Sequence, residues 1–575
     1  MDNDLATNPN ATSPSATASE LNRAATFQLL IFVLLSIGAI VALMFLLNWA
    51  AQSTGSSSSD VKAIDVANRS ISVILLQEPP QLDSSRATDT TSGQVLGHVM
   101  EGLLHYDSDN TLVPGVAERW DIRPDGATFW LRKNAKWSDG EPVTAHDFKF
   151  AWQTALKPST ASEYAFILYP IKNGEKISRG ELAVDQLGVT VVNDFELKIE
   201  FEQPIAYFDK LVAFATYYPI RQDFYEKTQG RFGADADQLL YNGPFVLDQW
   251  VHNASMRLEK NPYYWDKDSI YLNTIHVPFI TSDKQTAVNL FKDGRIADTE
   301  LDAETLPDAL RQGWYIKRFQ EGTVFYVEFN HREGRLTRNL KLRRAMQLAL
   351  DPSELVYKVI KVPGYLPGVS LFPSWIKGHE KAFREEYIAP ARVYDPERAR
   401  ELLEEARIEL GIERWPTFSM LSGDTPISIK QTEYYQSILK QNLGLNVTID
   451  RQIFKQRLAK MTAGEFDLVL AGWGPDFDDP ITFGDLFASW NLNNRGRYAN
   501  AELDQFVRTA QGSIDPVVRM RALGGVQNIL HDQAVILPDF ERGKVFVSDP
   551  RMQNMTRRSI GPDPDYSRVR LVENP

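Results

Sequence analysis

From Glu196 to Glu202 apolar and charged residues alternate, which sets Leu197, Ile199 and Phe201 on one face of a half-buried strand. Ile71–Leu76 and Val324–Phe329 are further apolar stretches of strand length. The period changes after Asp395-Pro396, an N-cap residue followed by a first-turn proline. Ala399, Leu402, Leu403, Ala406 and Leu410 then recur at helical spacing, and Gly411 marks the end. Thr144 and Asp147 predict a capping box ahead of Phe148, Ala151 and Trp152. No period of roughly 20–50 residues recurs, which excludes a solenoid. The pattern predicts a mixed α/β body of more than one lobe.

One stretch breaks this pattern. Leu29–Leu47 is 19 residues long and carries no charge; as a helix it spans about 28 Å, close to the hydrocarbon thickness of a bilayer. The expected organisation is a disordered cytoplasmic tail over 1–26, a transmembrane anchor over 27–49 and a serine-rich flexible linker over 50–65. Arg23 precedes the run and the next basic residue is Lys62, an asymmetry that favours a cytoplasmic amino terminus. A cleaved signal peptide is the competing reading, with Ala51-Gln52-Ser53 as a small-x-small site. Either way the body lies outside the cytoplasm.

Composition narrows the chemistry. Cysteine is absent, which excludes disulfides, thiolate metal sites, a cysteine nucleophile and a lipidated-cysteine anchor. The net charge of −13 argues against a basic surface for nucleic acid. No phosphate-binding glycine loop, dinucleotide fingerprint, nucleophile elbow or zinc-protease motif occurs. Ser437-x-x-Lys440 and Ser108-Asp109-Asn110 stand in the wrong order for a penicillin-recognising enzyme, and Ser437 reads as an ordinary helix position. The eight histidines never come within six residues of one another, so local spacing offers no metal site. The expectation is a protein without catalytic residues, cofactor or metal.

The segment that stands out is Ala471-Gly472-Trp473-Gly474-Pro475-Asp476, after the apolar strand pattern Phe466–Leu470. Its glycines allow close backbone approach, the indole offers a flat wall, and a carboxylate there could hold an ammonium group. A plain strand-to-loop turn, or an acidic oxygen cluster for calcium, are the other readings of these residues.

Met100–Asp107 continuing through Leu112–Trp120, Thr128–Trp152, Tyr241-Asn242-Gly243-Pro244-Phe245 with Asn261-Pro262-Tyr263-Tyr264-Trp265, and Phe466–Phe483 followed by Asn493-Asn494 and Tyr498-Ala499-Asn500 make a set spread over about 500 residues. In that order the set resembles the oligopeptide- and dipeptide-binding proteins of ATP-driven (ABC) importers, solute-binding protein family 5. The resemblance implies a large periplasmic-binding-protein-like α/β fold (type II), with two main lobes, a hinge and an extra smaller lobe, here preceded by the one N-terminal transmembrane helix. Lobe I is expected over 66–92, 193–328 and 537–570, lobe II over 93–192 and lobe III over 329–536. The implied function is a membrane-tethered, monomeric receptor on the periplasmic face, capturing peptides between lobes I and III and delivering them to the importer's permease subunits. A receptor of the same fold for an oligosaccharide or metal chelate, or a peptide sensor or chaperone without transport, are the alternatives.

By position in the family, Gly472 and Gly474 offer backbone groups to the ligand, Trp473 walls the cleft, and Asp476 takes the ligand ammonium. Phe454 and Tyr164 align with aromatics of side-chain pockets, and Gln77–Pro80, including Glu78, faces them from lobe I. Two departures stand out. Enterobacterial members carry an arginine two residues before the Gly-Trp pair, where this chain has Leu470, so a basic anchor for a short peptide's carboxylate is expected to be missing. Pro79 and Pro80 remove two backbone donors from the facing segment.

Overall fold

The computed structural model describes residues 61–109 and 111–574, together with Leu35 and Gly38. Leu35 and Gly38 are helical; the rest of the expected anchor, and the tail before it, lie outside the described residues. Among the described residues no helix is long and apolar enough to cross a membrane.

Folded structure starts inside the stretch expected to be linker. Ile64–Asp65 pairs antiparallel with Ser70–Leu75, and the Ala63 amide donates to the Gly294 carbonyl at 2.7 Å. Ala63 and Ile64 are both buried, so the apolar pair that ends the serine-rich stretch belongs to the core. Their sheet continues through Thr274–Ile280, Ser255–Lys260 and Phe245–Val251. Ser70–Leu75 is buried along its whole length and pairs in parallel with Thr274–Ile280.

A second, antiparallel sheet runs Ala117–Arg123, Gly126–Leu131, Glu196–Glu200, Val189–Asn193. It bears out the alternation at Glu196, because Leu197 and Ile199 are buried and Leu197 lies opposite Phe129. The expected boundary at 192/193 falls within the hairpin joining its last two strands, and that hairpin pairs with Gly126–Leu131 in this sheet. Ala145–Leu156 lies against this lobe. Asp147 caps it by accepting from the Thr144 amide at 2.8 Å, and also accepts from the Trp137 indole at 3.1 Å.

The third sheet is ordered Asp298–Leu301, Ile536–Ser548, Lys317–Phe329, Leu468–Trp473, Phe418–Gly423, Val447–Gln452. Two strands of 13 residues, Lys317–Phe329 and Ile536–Ser548, run through its centre. Their register breaks between Gln320 and Val324, where Gly322 has φ of +93°. The segments 298–301, 317–328 and 537–548, expected in lobe I, lie in one sheet with Leu468–Trp473, Phe418–Gly423 and Val447–Gln452, expected in lobe III, and Val324–Phe329 pairs residue by residue with Leu468–Trp473. Helix Pro396–Glu409 has Asp395 as its cap, bonded from the Arg398 amide at 2.9 Å, and buries Ala399, Leu403 and Ala406. Gly411 follows at φ +63°.

Candidate ligand-binding cleft

A cavity of about 450 Å³ is lined by residues of the first and third sheets and of the segments around Tyr106, Tyr164 and Phe214. Its walls include Gln77, Tyr164, Phe454 and the stretch Gly472–Asp476, residues that are far apart in the chain. Glu78 is not among its lining residues. The Glu78 carboxylate turns to the Phe245–Lys260 hairpin instead, accepting from the Trp250 indole at 2.9 Å and the Asn253 amide at 3.1 Å, with a His252 ring nitrogen at 2.9 Å. Partial burial works against a charge on His252, yet Glu78 and Asp235 together hold its pKa above the ordinary range. Of the facing segment, Gln77 therefore reaches the cavity and Glu78 supports it from behind.

The strand Leu468–Trp473 is paired along its whole length on one side only. Phe418–Gly423 runs beside it in parallel for Met420 and Leu421, opposite Leu468 and Val469, and then diverges. Leu470–Trp473 therefore has an edge that no strand of the described residues covers. Gly472 owes its missing side chain to the paired side: a Cβ there would come within 2.9 Å of the Phe325 ring, which is itself stacked on Phe540 at 4.8 Å. Gly474 is more open, its nearest neighbour being Thr323 Oγ1 at 3.3 Å.

Past this edge the chain turns through Asp476. The Asp476 amide donates to Thr482 Oγ1 at 2.9 Å, and the Trp473 indole donates to the Thr482 carbonyl at 2.8 Å, so one threonine fixes both residues. Tyr164, buried and 312 positions away, donates its hydroxyl to Asp476 Oδ1 at 2.9 Å and stacks on Trp473 at 6.0 Å. Asp476 keeps some exposure to solvent within the cleft but has no cation within ion-pair distance among the described residues. Enclosure by the cleft walls, with the nearby Asp485 carboxylate adding to it, holds its pKa well above the ordinary carboxylate range. Its neighbour Asp479 differs: it is paired to Arg519 at 2.7 Å. The acids of this turn thus diverge, and among the described residues no group of acids or histidines is placed to hold a metal ion.

Two groups that sequence reasoning missed join the site. Glu163, next to Tyr164, pairs with the buried Arg495 at 2.5 Å, and Thr462 donates to the same carboxylate at 2.8 Å. Burial opposes the Glu163 charge, but Arg495 carries its pKa below the usual value. Arg457 is the other. From the helix Phe454–Ala463 it lays its guanidinium 5.4 Å from the Phe454 ring and donates to the Leu470 carbonyl at 3.1 Å. A basic group thus reaches the backbone at position 470 from another element. No local pattern marks either residue, since each meets its partner only through the fold.

Residues 111–494 match the family described as bacterial extracellular solute-binding proteins, family 5 middle. The chain belongs to this family. Its members are substrate receptors of ABC transporters, and the chain is accordingly a solute receptor rather than an enzyme. It is 30% identical to the oligopeptide-binding protein OppA of Bacillus subtilis over 91% of this chain and 97% of that one. The substrate-binding domain of an oligopeptide ABC transporter from Bacillus anthracis superposes with a TM-score of 0.83 at 34% identity, covering 89% of this chain and all of that one. The murein tripeptide binding protein MppA of Escherichia coli, 26% identical, gives 0.80 over 89% of this chain and all of its own, but 0.59 over 89% and 99% in its unliganded open form. This chain therefore superposes better on the first of these two structures than on the unliganded open form.

Proposed function

We propose that this receptor captures peptides in the cleft and hands them to an ABC importer at the outer face of the cell membrane. The observation that carries the reading is the uncovered strand edge Leu470–Trp473 ending at an enclosed carboxylate without a cation, Asp476. An extended peptide can pair its backbone with such an edge, which reads no side chains, while its terminal ammonium supplies the missing counter-charge. Trp473, Tyr164 and Phe454 form flat apolar walls for side chains, and Gln77 contributes the opposite wall. The names of the relatives, oligopeptide- and dipeptide-binding proteins among them, support the same substrate class. Lobes I and III close on the ligand about the long strands Lys317–Phe329 and Ile536–Ser548.

The apolar run Leu29–Leu47 is proposed to keep the receptor at the membrane, raising its effective concentration around the importer. Mass measurement of the mature protein tests this part: an intact amino-terminal tail supports the anchor, and processing near Ser53 refutes it. For the ligand, titration calorimetry with one peptide in free and N-acetylated forms decides. Tighter binding of the free form is expected, and equal affinity would remove the ammonium role of Asp476.

A further inference from the structure

At the start of the body, three contacts lead from the backbone to an exposed aromatic turn. The Ala63 amide donates to the Gly294 carbonyl at 2.7 Å, and the Gly294 amide donates to the Phe291 carbonyl at 3.0 Å. The Phe291 ring then meets the Trp314 ring edge-on at 4.9 Å. Trp314 follows the helix Leu306–Arg311 and donates its amide to the Ala309 carbonyl at 3.1 Å, past Gly313 at φ +69°. Ala309 is buried and Trp314 packs against the same core, whereas Leu310 and Tyr315 beside them are 62% and 81% exposed. A single exposed apolar residue is ordinary, but two held on one rigid turn make a small apolar patch.

Charge here runs against the rest of the molecule. Across 62–63, 291–294 and 306–318 the exposed cations are Lys62, Lys292, Arg311 and Arg318, and the acids are Asp293 and Asp308, in a chain of net charge −13. Asp308 is itself held by Arg311 at 3.2 Å. An anionic surface repels such a body as a whole, so the orientation it tolerates best turns a locally cationic face towards it. Tyrosine and tryptophan beside lysine and arginine are the side chains that settle at the headgroup level of a bilayer. Only residues 48–61 separate the apolar run Leu29–Leu47 from Lys62, and a chain of that length reaches at most about 50 Å.

We infer that this face, centred on Leu310 and Tyr315, rests on the anionic headgroups of the membrane that holds the receptor. This depends on the anchor reading of Leu29–Leu47 and extends it: the tether keeps the body near the bilayer, and the face sets which way round it sits. Two exposed apolar side chains cover too little area for a stable dimer, whereas a tethered body needs only a weak surface contact.

Because the chain has no cysteine, one fluorophore on Gln312→Cys, an exposed position between Leu310 and Tyr315, reads the face. The full chain is reconstituted in vesicles of phosphatidylcholine and phosphatidylglycerol that carry a doxyl-lipid quencher. Val393→Cys is the control: it is 57% exposed and adjoins Arg392, which bonds the Pro538 carbonyl. That carbonyl lies about 23 Å along its strand from Val545, the partner of Arg318. Quenching at 312 is expected to exceed that at 393 by at least about twofold. It should fall to the level at 393 in phosphatidylcholine alone, and in the double variant Lys292→Glu, Arg311→Glu, whose melting curve confirms folding. Equal quenching at 312 and 393, while the chain floats with the vesicles, overturns the face and leaves the anchor standing. A chain that does not float overturns both. An unquenched label at 312, with self-association that Tyr315→Ser abolishes, gives the face to a second copy and overturns the lipid contact.

Discussion

Two charged regions of the cleft are built on opposite rules. At its floor, where the long strands meet the C-terminal segment, Lys544 lies within 3.3 Å of Glu300, 3.2 Å of Glu321 and 2.9 Å of Asp563. Arg542 pairs with Glu321, and Arg557 with Asp563 at 2.7 Å. Every charge there has a partner, and although burial opposes them, Glu300, held chiefly by Lys284, and Glu321 and Asp563, held by Arg542, Lys544 and Arg557, all lie below the usual carboxylate range. Along the edge Leu470–Trp473 the rule reverses. Asp476 is driven towards its neutral form, and burial lowers Arg457 to about 10. Burial thus opposes the charged form of each of these two groups. On the proposed reading the paired floor stabilises the body, whereas the unpaired edge trades stability for affinity.

The largest effect that would test this contrast is at the floor. Lys544→Met removes the cation that Glu300, Glu321 and Asp563 share, leaving each with its other partner only, and a loss of about 3 kcal/mol in denaturant unfolding is expected. A loss below about 1 kcal/mol would mean that the floor is not a coupled network.

At the edge the same kind of change should separate stability from binding. Asp476→Asn is expected to weaken binding of a peptide with a free amino terminus by about 2–5 kcal/mol. Unfolding of the empty protein should be no easier, because no carboxylate is then held in the enclosed site. Loss of stability comparable to that of Lys544→Met would erase the distinction between the two regions.

Acidity sharpens it further. The folded-state pKa of Asp476 lies above its unfolded value, so this group makes the empty protein less stable as pH rises from the ordinary carboxylate range through the raised pKa. Ammonium binding needs the ionised form, so affinity should fall by up to about tenfold for each pH unit below that pKa. Calorimetry across pH on wild type and Asp476→Asn checks this; an equal slope in both assigns the dependence to another group.

The smallest expected effect separates the two glycines. Gly472→Ala forces a Cβ against Phe325, which is fixed between Phe540 and Arg542, and should cost about 1–3 kcal/mol of stability. Gly474→Ala meets only Thr323 Oγ1 and should leave unfolding nearly unchanged. Equal costs would show that the paired side of the strand does not set the requirement at Gly472.

Much of the local structure was legible. The alternation at Glu196, the cap at Asp395 and the box at Thr144 and Asp147 each depend on residues a few positions apart, and each is present. The reading of the glycines was half complete: they do flank an open edge, but at Gly472 the near neighbour is a side chain from the next strand. Glu78 was placed in the cleft by its position beside Gln77, whereas its carboxylate is taken by Trp250 and Asn253. The segments 298–301 and 317–328 join the sheet of Leu468–Trp473 for the same reason, since strand pairing across the chain, and not position along it, fixes which sheet a segment joins.

By itself, then, the sequence determined the alternating α/β character, the caps that start individual helices, the family, and the absence of any thiol chemistry. These follow from short-range periodicity and from residue types, which need no knowledge of neighbours distant in the chain. Only the tertiary structure decided which charges are matched. Tyr164 meets Asp476 across 312 positions and Glu163 meets Arg495 across 332, while Arg457 reaches the Leu470 carbonyl without an ion pair among the described residues. Whether a charged residue stabilises the body or waits for a ligand depends on what the fold brings within a few ångströms of it, because Coulomb and desolvation energies are set by distance and enclosure rather than by order along the chain.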